Sequence, residues 1–314
     1  MPLEIAARCG HEPTSGIYYE MIGGGGSTRH PWLFIHGGAG TGAVFRRTPD
    51  GRSGWAELLA ADGHQCWLAD WPGMGRSGGT HILDVDLDTV VDGFCSLLRD
   101  VIGVPCIVVC HSMGGPIAWR LAELVGDFVA GIVALSPSNP GNLDAAAEVI
   151  SRNGKEVTLR HPESGVDFTL RTDRQFIVTD ENVVGQWIAS STRFPLAHLE
   201  AFRHTLVPTP PKVVLQRLGA EGGIPRIART EAFDGLWLRI VVPTDDPART
   251  RENTQPLLDL FRSWDADAEA IHLADRGIHG NGHFMFCELN SDEVLSLVRR
   301  EIDTAFLNPG VEPT

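Results

Sequence analysis

Val109-Cys110-His111-Ser112-Met113-Gly114-Gly115, "VCHSMGG", joins an apolar run to a helical one through a single serine. The apolar run "IVVC" precedes Ser112, and the helical pattern "GGPIAWRLAEL" follows it. A strand that turns abruptly into a helix holds the residue at its apex in a strained backbone conformation. A serine at that apex exposes its hydroxyl as a nucleophile, within the pattern G-x-S-x-G. Gly114 and Gly115 supply the small residues on the helix side. Cys110 stands where the first glycine is expected, and its bulk is small enough for the strand side to absorb. The plainer alternative is an ordinary helix start with Ser112 as its N-cap.

Outward from this turn, short apolar runs alternate with amphipathic ones. "HPWLFIHGG", "HQCWLADWPG", "VPCIVVCHS", "VAGIVALSP", "LWLRIVVPTDD" and "AEAIHLADRG" read as strands. "GWAELLAAD", "DLDTVVDGFCSLLRDV", "GGPIAWRLAELVG", "TQPLLDLFRSW" and "SDEVLSLVRREIDTAFL" read as helices. The all-apolar cores suit strands covered on both faces, so the alternation predicts an α/β fold, a mostly parallel central sheet with helices on both faces. The glycine run Gly23 to Gly26 reads as a hairpin loop between "GIYYEMI" and "HPWLFIHGG".

One interval breaks the rhythm. Residues 138–235 separate two core strands, too long a gap for a structureless loop. "KEVTLR" and "VDFTLRT" predict a hairpin there. "NVVGQWIASST", "LAHLEAFRHTL" and "KVVLQRLG" predict helices. The expected organisation is a core of 1–137 and 236–314 with an inserted cap subdomain at 138–235.

Two further segments complete a possible acyl-transfer site. "HGGAG", His36 to Gly40, follows the strand "WLFI". The negative oxygen of a tetrahedral intermediate needs backbone N–H donors, one after the nucleophile and one from this loop. Met113 and Gly38 are the candidates for that oxyanion hole, and His36 reads as a brace for the loop. "GAGTGA" in the same loop also matches a dinucleotide fingerprint, but turn formers follow where a helix should open, and no acidic residue ends a second strand at the expected distance. "GIHGNGHFMF" sets His283 in a loop before the last helix, with Gly280, Asn281 and Gly282 freeing the backbone around it; His279 is the competitor. "VVPTDDP" ends the strand after the insert, so Asp246, or alternatively Asp245, can orient His283. The order Ser112, Asp246, His283 is the one expected of this arrangement.

Strand–"HGG", "DWPGMGRSG", "CHSMGG" and the late "GNGHF" together resemble the α/β-hydrolase superfamily across essentially the whole core. "TPDGRSGW" (Thr48 to Trp55) and "GIHGNGHFMF" resemble, more narrowly, a subgroup of bacterial serine esterases with TPDGRxGW and GxxGNxH motifs. The resemblance implies hydrolysis of a carboxylic ester or lactone through an acyl-enzyme, with no metal or organic cofactor. In that subgroup the triad acid is a glutamate directly after the sixth strand. Ser136, within Ala134-Leu135-Ser136-Pro137, stands at that place, so either Asp246 takes over the role or the acid is missing and activity is weak; Asp246 is the favoured reading. The same triad on other members cleaves carbon–carbon bonds or amides, and a ligand-binding member without catalysis is a further alternative.

The remaining features set limits. Net charge is −14, which disfavours nucleic-acid and anionic-membrane partners, since both need clustered cations. The expected partner is therefore a small-molecule substrate, and the expected state a monomer or homodimer. The six cysteines form no C-x-x-C, so buried thiols are expected rather than zinc or disulfides. No signal-like N-terminal run and no long apolar span are visible, which predicts a cytoplasmic protein. Trp187, Phe194 and Phe202 in the insert are candidate substrate contacts, with cap packing as the alternative. The arginines Arg152, Arg160, Arg171, Arg174, Arg193 and Arg203 read as solvated.

Overall fold

The structure is a computed structural model that describes residues 7–24, 30–143, 146–160, 167–179, 184, 187–188 and 190–306. Eleven strands are described: β1 (Ala7–His11), β2 (Tyr18–Gly23), β3 (Trp32–Ile35), β4 (Gln65–Ala69), β5 (Cys106–His111), β6 (Val129–Leu135), β7 (Glu148–Asn153), β8 (Glu156–Arg160), β9 (Asp167–Arg171), β10 (Trp237–Val242) and β11 (Asp267–His272). The α-helices described are α1 (Trp55–Ala61), α2 (Leu87–Ser96), α3 (Gly114–Val125), α4 (Leu199–Arg203), α5 (Pro211–Arg217), α6 (Arg251–Arg262) and α7 (Ser291–Phe306).

Eight strands form one sheet in the order β1-β2-β4-β3-β5-β6-β10-β11. From β4 to β11 the neighbours run parallel; β1 and β2 are antiparallel additions at one edge. Alternation along each central strand sends side chains to opposite faces. Leu33, Ile35, Val108, Cys110, Ile132 and Ala134 pack beneath α2, α3 and α6. Trp32, Phe34, Ile107, Val109, Val133 and Leu135 pack beneath α1 and α7. Both faces are therefore dry, which is why these strands are almost wholly apolar.

The hairpin expected across the glycine run is not formed. Strand β4 lies between β2 and β3, antiparallel to the first and parallel to the second. β2 and β3 are therefore not neighbours in the sheet. A Cβ on Gly23 would meet the His64 carbonyl oxygen at 2.3 Å, so this end of the run serves a close approach. Gly25 and Gly26 lie outside the described residues.

In the 138–235 interval, β8 and β9 form the antiparallel pair the pattern predicted. β7 adds a third strand, with all six residues exposed. It carries no alternation to betray it. Ala147, Val157, Leu159, Leu215 and Ala220 make a small core of their own. The predicted helices at "LAHLEAFRHTL" and "KVVLQRLG" correspond to α4 and α5, while most of "NVVGQW" lies outside the described residues.

Strand order reverses around β3, whose neighbours β4 and β5 follow it in sequence on opposite sides. A crevice opens at the carboxyl ends of the strands at such a point. The loops after β3 and β5 both end there.

Candidate active site

Ser112 terminates β5 with φ +51°, in the left-handed region that a β-carbon disfavours. The strain is held by the packing on either side. A Cβ on Gly114 would lie 2.8 Å from the Ile35 carbonyl oxygen, and one on Gly115 would lie 2.7 Å from that of Ser138. Only glycine lets α3 start this close to β3 and β6. Cys110 points into the core on the α3 face, fully buried, and needs no glycine-like clearance. Burial pushes its thiol, like that of Cys66, far above the ordinary range, so neither is a nucleophile.

Three side chains from different strand ends then meet. Ser112 Oγ lies 3.0 Å from His283 Nε2. His283 Nδ1 lies 2.7 Å from Asp246 Oδ2. Asp246 Oδ1 also accepts the Ala248 N–H at 3.0 Å. Burial works to raise the Asp246 pKa, but the hydrogen bond from His283, with that from the Ala248 N–H, outweighs it and keeps the carboxyl below its ordinary range. An ionised carboxylate accepts, so the His283 proton sits on Nδ1 and Nε2 is free to accept from Ser112.

Asp245 does not reach this relay. Its backbone N–H donates to the Asn281 carbonyl at 2.8 Å, which ties the strand end to the histidine loop. His279 is exposed, and its carbonyl accepts from Arg193 Nε at 3.0 Å. Ser136 follows β6 at φ +44°, and its buried hydroxyl has no hydrogen-bond partner among the described residues. No carboxylate from that position contributes.

The loop after β3 lies directly beside the serine. A Cβ on Gly37 would be 2.9 Å from Ser112 Cβ, and one on Gly38 would be 2.6 Å from Met113 Sδ. The loop is fixed from below by His36, whose Nδ1 donates to the Gly37 carbonyl at 2.7 Å and whose Nε2 accepts from the Trp71 N–H at 3.2 Å. Burial pushes this imidazole down to about 4, so it is neutral. Asp70, bonded to Gly42 N–H and Arg76, closes the bracing. From above, the Ala39 N–H donates to Thr209 Oγ1 at 2.9 Å and the Val207 N–H to the Ala39 carbonyl at 2.9 Å. The backbone at Gly37 and Gly38 therefore lies against Ser112 and Met113.

Phe194 and Phe202 are buried edge-to-face on one another, 5.2 Å between centroids, and Phe202 packs on Phe284 at 5.1 Å. Their contacts are those of packing between insert and core. Trp187 is half-buried, 5.7 Å from Phe284.

His111, Glu288 and Ser191 escaped notice in the sequence, and Asn281 was misread there. His111, buried beneath His283 with ring centroids 4.7 Å apart, donates from Nε2 to the His283 carbonyl at 3.0 Å. Burial holds it well below the ordinary imidazole range, so it adds no cation. Asn281 does not free the loop. It is fully buried, its Nδ2 donating to Glu288 and to Asn290. Glu288 and Ser191 complete that contact. The available signal was Glu288 itself, a lone charge within "FMFCEL". Among the described residues no group of three or more His, Cys, Asp or Glu is arranged to hold a metal ion, and no helix is long and apolar enough to cross a membrane.

The model of the family described as "Alpha/beta hydrolase family" matches residues 32–296, most of the chain. The chain belongs to the α/β hydrolase family. Among solved structures it is similar to a methylesterase from Arabidopsis, at 17% identity and TM-score 0.60, covering 88% of this chain and 99% of that one. It is also similar to Est816, described as an N-acyl homoserine lactone degrading enzyme, at 18% identity and TM-score 0.59, covering 90% and 96%. At these identities the likeness is one of fold. A "probable secreted lipase" of a fungal species (strain ATCC 74256) is 26% identical over 35% of this chain and 46% of its own length. The chain thus spans about half of that curated relative.

Proposed function

We propose that this hydrolase cleaves a carboxylic ester or lactone through an acyl-enzyme formed on Ser112. The observation that carries the reading is the continuous relay from Ser112 Oγ through His283 to a buried, ionised Asp246. His283 Nε2 takes the hydroxyl proton as Ser112 attacks the carbonyl carbon. Asp246 steadies the imidazolium that results. The Gly38 and Met113 N–H groups receive the oxyanion, each worth about 3–4 kcal/mol to the transition state. His283 then protonates the leaving alcohol, and a water molecule releases the acid by the same route.

Residues 138–235 act in this reading as a cap, with Trp187 at the substrate. The bonds from Val207 and Thr209 to Ala39 support that role, because they tie the insert to the loop that receives the oxyanion. The neighbours described as a methylesterase and a lactone-degrading enzyme make short esters and acyl lactones the first substrates to try.

A fluorophosphonate tests the nucleophile. Folded protein should gain one adduct, located on Ser112 by peptide mass spectrometry. A folded protein that stays unmodified, or is modified elsewhere, refutes the reading.

A further inference from the structure

Glu288 is a buried carboxylate with no part in the relay, and every bond it makes is to a donor. Oε1 accepts from Ser191 Oγ at 2.7 Å and from the Gly282 N–H at 3.0 Å. Oε2 accepts from Asn281 Nδ2 at 2.8 Å and from the same Gly282 N–H at 3.1 Å. Among the described residues no lysine or arginine forms an ion pair with it. A lone buried charge is costly to keep, and an apolar side chain would fill the space at less expense.

The groups it gathers belong to separate parts of the chain. Gly282 immediately precedes His283. Ser191 belongs to the insert, where its Oγ accepts the Arg193 and Phe194 N–H groups and so orders the turn leading to Phe194. The Thr192 and Arg193 N–H groups also donate to the Gly280 carbonyl, at 3.0 and 3.2 Å. The approach is close enough that a Cβ on Gly280 would lie 2.2 Å from Thr192 Oγ1, and one on Gly282 would lie 2.9 Å from Ser191 Cβ. Glu288 is itself held by "TPDGRSGW". Arg52 Nη2 donates to the Glu288 carbonyl at 2.9 Å, and Trp55 Nε1 to the Ser291 carbonyl at 2.8 Å.

We infer that Glu288 is a positioning residue, which fixes the Asn281–Gly282 peptide one residue ahead of His283 and couples the insert to the general base. The inference rests on the proposed role of His283. Its physical content is geometric. His283 Nε2 must stay in line with Ser112 Oγ while Nδ1 stays on Asp246, and the Gly282 N–H, one peptide before His283, is clamped by both oxygens of one carboxylate. His111 clamps the His283 carbonyl from the opposite side. With both ends held, the ring has little freedom left. Burial pushes the Glu288 carboxyl above the ordinary carboxylate range, and the Ser191, Gly282 and Asn281 donors offset only part of that rise.

Two variants test this in the full chain. Glu288→Gln keeps the shape but turns a donor toward Asn281 Nδ2. Ser191→Ala keeps the carboxylate and removes its own bond to the insert, leaving the backbone bonds to Gly280 in place. Both are assayed on p-nitrophenyl acetate, with kcat expressed per site titratable by fluorophosphonate, and with Tm measured in parallel. A displacement of about 1 Å at a catalytic group costs about 100-fold, so kcat for Glu288→Gln should fall by about that factor with KM within threefold. Ser191→Ala should fall about tenfold, and phosphonylation should slow in step. Should Glu288→Gln not fold, Ser191→Ala decides. Turnover per titrated site within twofold of wild type, with only Tm lowered, overturns the inference. Wild-type protein that neither turns over nor is labelled overturns the hydrolase reading instead.

Discussion

Asp246→Asn is the sharpest test of the relay, because its outcome follows from the bonds around one carboxylate. Asp246 is 5% exposed, and its two oxygens have different partners, His283 Nδ1 and the Ala248 N–H. An asparagine can keep its oxygen on Ala248 only by turning its NH₂ toward His283. Nδ1 must then present a lone pair, so the imidazole proton moves to Nε2 and faces Ser112. A histidine in that tautomer cannot accept the serine proton. The flipped amide avoids this only by setting two donors, NH₂ and the Ala248 N–H, against each other. The first choice loses the base, and the second keeps it only at the cost of a buried clash between two donors. Loss of the correct tautomer in a serine triad costs about 10⁴ in turnover, equivalent to about 5 kcal/mol of transition-state stabilisation. Asp245→Asn changes a side chain outside the relay and should cost less than about threefold, within the range of an ordinary surface change. The assay is kcat on p-nitrophenyl acetate for both variants, normalised to folded protein by circular dichroism. A fall of less than tenfold for Asp246→Asn, or equal falls for the two, refutes the assignment of the acid.

Ser112→Ala should abolish turnover and fluorophosphonate labelling while leaving the thermal transition near that of wild type; residual labelling would mean another nucleophile. Iodoacetamide should modify one thiol in the folded protein, Cys9, since the other five cysteines are buried, and six after denaturation. A second fast-reacting thiol in the native state contradicts the packing of β5. Stability should fall between pH 6.5 and 4. Folded His36 resists protonation down to about 4 while the unfolded chain takes up the proton near 6.5, so the unfolded state binds more protons in that window. The span corresponds to about 3 kcal/mol, and His111 adds in the same direction. Urea midpoints measured across that range check it, and a flat profile would place His36 in solvent.

The core was legible because its signals are local. A fully apolar run bounded by turn residues says strand, and a 3.6-residue stripe says helix, without reference to distant residues. The serine turn and the histidine loop were legible for the same reason. Each announces itself by small residues packed around one reactive side chain. The hairpin across Gly23–Gly26 was misread because a glycine run reports that the chain bends, not which strand it meets next. β7 was missed because an edge strand exposed along its whole length has no hydrophobic period to detect.

The sequence by itself therefore determined the α/β layering and the order in which Ser112, Asp246 and His283 are met. Which of two adjacent aspartates faces the histidine depended on a change of one residue in backbone direction at the end of β10, and only the folded chain decides that. Tertiary structure likewise decided that Cys110 is harmless and that Ser136 offers no carboxylate. It decided that Phe194 packs on Phe202 and Phe202 on Phe284, and that Asn281 is an anchor rather than a hinge. All of these depend on which distant residues arrive alongside, as Ser191 and Glu288 do at Gly282, 91 and 6 residues away in the chain. Chain propensity is set by near neighbours, whereas the chemistry of a buried polar group is set by whatever satisfies it.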